Sequence, residues 1–339
     1  MNPQRPNLKD VARLAAVDVS TASRVLNGSA TQRVSEETRA RILKVAKALD
    51  YRPNSLARGL RTSRVFALGI VVPQLDNPVF SSAIRGAELA ASALGYSLII
   101  SHRDPGRAAE GEYKRLTGAH RVDGLLVASL DEDRGLIEAL EETGVPFVLM
   151  NRRIGSAPAV ALDSEEAARV GVEHLLKLGH RRIAHLAGRL EGFNGRARLA
   201  GFQAGLKAYG LPFDPDLVEA AGYTVEGGKQ AMEALLARLH PRPTAVLAAT
   251  VVSAAGALAA LHEAGLDIPA DVSVVAIHDA PIAAMVYPAL TTVQTPTESM
   301  GARAVELLVR LIGGEQLEAP PLLAPNGLVL RRSTAPPPS

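Results

Sequence analysis

Residues 19–29 read VSTASRVLNGS. Ser20, Thr21, Ser23, Arg24 and Asn27 all carry hydrogen-bonding side chains, and none is acidic. Grouped on one helix face, such residues can bond to phosphates and base edges in a DNA major groove. An arginine there can donate two parallel hydrogen bonds to guanine O6 and N7. A surface helix with no partner is polar too, so the surrounding sequence has to decide between the two.

Other chemistry fares worse. With no cysteine in 339 residues, disulfides, thiolate zinc sites and thiol catalysis are excluded. After the first apolar run stands VVPQLDNPVF rather than G-x-G-x-x-G, which removes the dinucleotide-binding signature. GYTVEGGKQ (222–230) has one residue too many for a phosphate-binding loop and Gln230 in place of Ser/Thr. No G-x-S-x-G elbow appears. His174, His180 and His185 lack metal-ligand spacing. Asp131, Glu132 and Asp133 read as a solvated helix start. No catalytic constellation emerges, and no cofactor or metal is expected.

The elements that must position the polar stretch are short helices. Asn7 can cap LKDVARLAA (8–16), in which Leu8, Val11, Ala12 and Ala15 recur at helical spacing. Asp18 can cap a second helix that turns Ala22, Val25 and Leu26 inward and leaves Ser20, Thr21, Ser23 and Arg24 outside, before Asn27-Gly28 stops it. Ser35 can cap a third, with Thr38, Ile42, Val45 and Leu49 inward. Two short helices across a tight turn, followed by a third, make a helix-turn-helix. Next, YRPNSLARGLRTSRV (51–65) is basic and too short and polar to hold a helix alone.

From Val65 the pattern becomes apolar strands between amphipathic helices: VFALGIVV, YSLII, DGLLVAS, PFVLM, RIAHLAG, TAVLAA and VSVVAI. Near-continuous apolar strands point to parallel sheets buried on both faces and a doubly wound α/β body. A break near Asp163-Ser164 would give two similar lobes. PPLLAPNGLVLRR reads as a late strand, and residues 333–339 as a disordered tail. Charge follows this division. Residues 1–64 hold 13 Lys/Arg against 5 Asp/Glu, a net of +8; since the whole chain is +2, the rest is −6. A basic module on an acidic body fits a polyanion-binding protein with a separate regulatory domain. The N-terminus has no apolar signal-peptide core and no run could span a bilayer, so a cytoplasmic protein without membrane contact is expected.

In this order the blocks resemble the LacI/GalR family of bacterial transcription regulators over almost the whole length. NLKDVARLAAVDVSTASRVLNGS, VSEETRARILKVAKALDYRPNSLARGLRT, IVVPQLDNPVFSSAIRGAE, LLKLGHRRIAHLAG, RARLAGFQAGL, IPADVSVVAIHD and PALTTVQTP carry the resemblance. It implies a headpiece (1–52), a hinge helix (53–64) and a periplasmic-binding-protein-like effector and dimerisation domain (65–339). The N-lobe would take about 65–163 and 293–322, the C-lobe about 164–290 and 323–332, with crossovers near Asp163-Ser164, Thr292-Val293 and Leu322-Leu323. The implied function is that of a ligand-responsive regulator, a repressor binding a pseudo-palindromic operator as a homodimer. The alternative is a transport-type small-molecule-binding protein with no regulatory role.

By position, Val19, Ser20 and Arg24 match the family's base-reading residues, and Thr21, Ser23 and Asn27 fit phosphate contacts. In the hinge, Asn54, Ala57 and Leu60 match DNA-facing positions, with Leu60 as the minor-groove wedge. Family cleft positions map to Phe80, Asn151, Arg198, Tyr223, Thr250, His278 and Asp279. Three departures stand out. Ala16 replaces a frequent turn Gly, with a cost if φ is positive there. Asp18 stands where Ser is common. Thr250-Val251 and Ala276-Ile277-His278-Asp279 stand where many members carry Asn-Asp and Gly-aromatic-Asp-Asp. That loss of carboxylate and amide weakens the case for a neutral sugar and points toward a sugar acid or phosphate.

Overall fold

The computed structural model describes residues 6–26, 34–51, 64–75, 77–102, 109–128, 135–317 and 320–338. The chain divides into two compact units, the first ending at Phe66 and the second starting at Ala67.

In the first unit, α1 (Leu8–Leu14) starts at a capping box. The Asn7 side chain accepts from the Lys9 and Asp10 amides while Asp10 accepts from the Asn7 amide. Such a cap contributes about 1 kcal/mol. The helix ends in a Schellman turn: Val17 N–H donates to Ala12 O and Ala16 N–H to Arg13 O, with Ala16 at φ 51°. Arg41 Nε closes the same end by donating to Ala15 O at 2.9 Å. After the turn come α2 (Val19–Leu26) and, further on, α3 (Glu36–Ala48), capped by Ser35. Val11, Ala12, Ala15, Ala22, Val25, Ile42 and Ala46 form the core, flanked by Leu8, Val17, Leu26, Val45, Leu49 and Tyr51. Of the inward set expected on the third helix, Thr38 is only half-buried; Ala46 takes its place because the buried stripe runs toward the C-terminal half.

The second unit alternates strands and helices: β1 (Ala67–Val72), α4 (Pro78–Ala93), β2 (Ser97–His102), α5 (Ala109–Thr117), β3 (Gly124–Ala128), α6 (Leu136–Glu141), β4 (Phe147–Met150) and β5 (Ala159–Val160). It continues through α7 (Ser164–Lys177), β6 (Ile183–Ala187), α8 (Phe193–Ala208), β7 (Val218–Ala220), α9 (Val225–Arg238) and β8 (Ala245–Ala248). The last elements are α10 (Val251–Glu263), β9 (Ser273–Ile277), α11 (Pro281–Met285), β10 (Thr291–Gln294), α12 (Thr297–Ile312) and β11 (Gly327–Val329). These make a parallel five-stranded sheet, β2-β1-β3-β4-β5, and a six-stranded one, β11-β10-β9-β8-β6-β7, in which only the β10–β11 pair is antiparallel. Each sheet with its helices is one lobe of a doubly wound α/β body.

The chain passes between lobes three times. The first passage follows Leu162, the second lies between Gln294 and Thr297, and the third between Leu323 and Gly327. The last two fall slightly later than expected, because Thr292 and Val293 pair with Ala276 and Ile277 in the C-lobe sheet, while Leu323 pairs beside Leu162. α12 thereby returns to the N-lobe and lies against α4. A Cβ on Gly86 would sit 1.9 Å from Glu298 O, and one on Gly301 1.9 Å from Ala83 O, so the two backbones touch at reciprocal glycines.

Three expectations need correction. β2 is an edge strand with Ile99 and Ile100 exposed, not buried on both faces. β5, β7 and β10 are strands that their short or polar sequences did not announce. The tail is ordered up to residue 338. Ser333 is fully buried; its hydroxyl donates to Val274 O at 2.6 Å and accepts from Thr291 N–H at 2.8 Å, and its carbonyl accepts from Val274 N–H. His180 Nε2 then holds Ala335 O at 2.9 Å. Proline content suggested disorder, but polar atoms at the starts of β9 and β10 and the ring of His180 supply partners.

Candidate functional site

Two places gather polar side chains that neither core uses. The first is the outer face of α2. Ala22 and Val25 point into the first core; on the other side Val19 is 39% exposed, Ser20 is exposed, and Thr21, Ser23 and Arg24 are half-buried. Asp18 Oδ1 accepts from Ser20 N–H at 2.7 Å, so the helix begins on a side-chain cap. Bonds from the Ser20 hydroxyl and amide hold the Asp18 carboxyl below its ordinary pKa. Arg24 Nη2 donates to Ser20 Oγ at 3.1 Å, one turn back, which lays the guanidinium along the exposed face. Asn27, Asn54, Ala57 and Leu60 lie outside the described residues.

The second place is a cleft lined by Asn77, Val79, Phe80, Asn151, Asn194, Arg198, Tyr223, Thr250 and His278. Most come from the C-terminal ends of strands or the N-terminal turns of the helices that follow, where open α/β sheets bind ligands. Phe80 stands in the first turn of α4, which Asn77 caps through Val79 N–H. Asn151 follows β4 at φ 59°, and His278 follows β9 at φ 71°. Neither glycine nor a turn requirement explains two such residues in one cleft; backbone strain of this kind concentrates at binding sites. Tyr223 lies flat over Gly188, where a Cβ would stand 2.5 Å from its hydroxyl.

Six of the seven cleft residues named from the sequence line this cleft. Asp279 does not. Its Oδ1 accepts from Thr292 Oγ1 at 2.6 Å and from Arg331 Nη1 at 2.8 Å. Burial raises its pKa, but these bonds and the Arg331 charge outweigh it, and the carboxyl stays below its usual range. It ties β9 to β10 and the strand-end segment around Arg331. Thr250 is also spent locally, in a capping box with Ser253 at the start of α10. Asn77, Val79 and Asn194 were not foreseen. Asn77 had a readable signal, an Asn-Pro pair opening a helix directly after a strand. Asn194 Nδ2 donates to Asn151 O across the cleft, which no spacing rule foretells.

Arg198 dominates the electrostatics. It is 2% exposed, and its Nη2 donates to His278 Nε2 at 2.8 Å. Because a guanidinium only donates, Nε2 must be the bare acceptor nitrogen. His278 Nδ1–H then donates to Thr295 Oγ1 at 2.6 Å. His278 is therefore neutral; burial, reinforced by the Arg198 charge, drives its pKa well down. The guanidinium carbon sits 5.9 Å from the Tyr223 ring centre.

Models of known families and solved structures place this geometry. The lacI family of bacterial regulatory proteins matches residues 7–54, and a periplasmic binding protein-like domain matches 172–334. The transcriptional regulator CelR of Thermobifida fusca is 36% identical, the match covering 97% of this chain and 98% of CelR. The chain belongs to the LacI family of bacterial regulators. Catabolite control protein A of Priestia megaterium is 31% identical over 96% of this chain and 98% of its own. Among structures of LacI-family proteins, the lac repressor dimer bound to operator and an anti-inducer superposes with a TM-score of 0.78 at 30% identity, covering 98% of this chain and 100% of that one. A CelR–cellobiose complex gives 0.72 at 35% identity, covering 97% and 100%. As a LacI-family regulator, the chain is a DNA-binding protein of transcription and belongs to a family of regulators rather than enzymes. No helix among the described residues is long and apolar enough to cross a membrane.

Proposed function

We propose that this LacI-family protein represses transcription by binding a pseudo-palindromic operator as a homodimer, and that a small polyhydroxylated effector in the cleft of Arg198 and Phe80 sets its affinity. The observation that carries this reading is the presence of two polar sites in one chain: the exposed Arg24 face of α2 and the nine-residue cleft of the α/β unit. Val19, Ser20 and Arg24 would read bases, with Arg24 on guanine, while Thr21, Ser23 and Asn27 fix register on phosphates. Asn54, Ala57 and Leu60 would enter the minor groove as a pair of hinges. Phe80, Asn151, Arg198, Tyr223, Thr250 and His278 would hold the effector. Its partner being DNA, the protein would work in the cytoplasm.

Dimerisation has surface to draw on. Leu89 and Leu94, on and next to α4, adjoin β2 with its exposed Ile99 and Ile100; in the other lobe Met285, Tyr287 and Leu330 are 79, 82 and 65% exposed. Apolar exposure on this scale marks an interaction face, and a two-fold axis brings like faces together.

The test is selection from randomised duplexes with purified full-length protein. Two-fold symmetric sites with a fixed central step, bound with an affinity that falls steeply with salt, are expected. Recovery of asymmetric or unenriched sequences would remove the paired-headpiece reading and the hinge mechanism with it.

A further inference from the structure

Arg198 is buried in the cleft wall, and among the described residues no carboxylate forms an ion pair with it. Its Nε has no hydrogen-bond partner among the described residues. The side chain it bonds among the described residues, His278, is uncharged and already committed through its other nitrogen to Thr295. Among the described lining residues none is acidic. Asp279, next to His278 in sequence, is bonded to Arg331 and Thr292 and is not part of the lining. A buried guanidinium is normally paired, because desolvating an ion without a counter-charge is costly. Here the burial, the neutral acceptor and the idle Nε–H leave a positive charge at the cleft wall with no counter-charge among the described residues. Another lining residue carries a second orphan: Asn151 Oδ1 is buried without a donor among the described residues.

Building on the effector reading above, we infer that the effector is a polyol bearing one anionic group, a carboxylate or phosphate, that pairs with Arg198, while a hydroxyl donates to Asn151 Oδ1. Guanidinium and carboxylate or phosphate match as two parallel N–H···O bonds, and the pairing strengthens in a water-poor cleft. His278 acts as a positioning residue. By accepting one guanidinium N–H it fixes the plane of the fork without cancelling its charge, as an aspartate at this place would. Phe80 and Tyr223 offer flat apolar faces for the carbon skeleton.

The inference is tested by calorimetry on the full-length protein with matched probes: glucose, galactose, their uronates, gluconate, glucose 6-phosphate, inorganic phosphate and acetate. At least one anionic sugar is expected to bind tenfold or more tightly than its neutral parent, and the better of the carboxylate and phosphate arms names the group. His278→Asp gives Arg198 a built-in counter-ion at a left-handed position that Asp tolerates; it should erase that preference. His278→Asn, which still offers a neutral acceptor, should keep it. Neutral sugars binding as well as or better than anionic ones would overturn the inference, as would no binding by any anion or an unchanged preference in His278→Asp. Operator binding is measured alongside, without ligand and with each probe. No operator binding either without ligand or with any probe would defeat the proposed operator reading, whereas operator binding in one of these conditions with no anion preference would defeat only the charge of the effector.

Discussion

At the residue scale, Arg24 and Ala16 make opposite demands on the first unit. Arg24 lies along the α2 face through Ser20, ready to form a fork on guanine. Arg24→Ala should cost about 1–3 kcal/mol of operator affinity and relax specificity at one base position per half-site, read by competition between single-base variants of the selected site. Ala16 holds φ 51° in the turn that joins the two DNA-binding helices. Ala16→Gly should stabilise this unit by up to about 1 kcal/mol, seen as slower amide exchange in α1–α3 at unchanged operator sequence. Much of this was legible: the possible strain at Ala16, the cap at Asp18 and the outward set on α2 followed from residue type and spacing. The neutral state of His278 was not. It depends on which of its two nitrogens meets Arg198, and that is a property of the folded cleft.

At the level of elements, local pattern told strands and helices apart but said little about where strands end up. YSLII looked like any buried strand, yet β2 lies at the sheet edge. TTVQ is too short and polar to stand out, yet β10 carries the chain through the C-lobe sheet and sets the second crossover. The segment after β11 was the largest miss, since a run of Pro and Ser says nothing of the backbone groups at the starts of β9 and β10 that it meets. Ser333→Ala would leave Thr291 N–H without its buried partner and remove the bond to Val274 O. It should cost about 1–3 kcal/mol, measured as a lower urea midpoint with an unchanged slope.

For the whole molecule, acid should be the sensitive axis. His185 is fully buried, stacked 5.2 Å from Phe202, with its Nδ1 bonded to Leu247 O. Burial pushes its pKa down to about 4 from 6.5. His278, His174 and His180 shift in the same direction, chiefly by burial. A histidine that titrates lower when folded takes up its proton first in the unfolded chain. Its stabilisation is therefore complete above pH 6.5 and drains away as pH falls toward 4, by on the order of 3 kcal/mol for His185 alone. Urea unfolding at pH 7.5 and pH 5 should show the loss; equal midpoints would mean that His185 is not buried as described. The division into a basic headpiece and two α/β lobes was readable from charge and periodicity, and the family resemblance supplied the idea of interleaved lobes. No pattern within TESMGARAVELLVRLI says which lobe it will join.

That interleaving also governs the order in which the protein comes into being. Gly124 in β3 packs beneath Leu308 and Ile312 of α12, and Gly86 beneath Glu298. At the usual 5–20 residues per second, a ribosome takes roughly 10–40 seconds to travel from one partner to the other. For that interval a nascent chain already has its helix-turn-helix, while the lobe bearing Leu89, Ile99 and Ile100 still waits for its closing helix. If operator binding needs two assembled copies, a chain cut short in this window can find DNA but cannot hold an operator. Aborted synthesis would then yield weak, non-specific binders, and a firm hold on the operator would be reserved for molecules translated through α12.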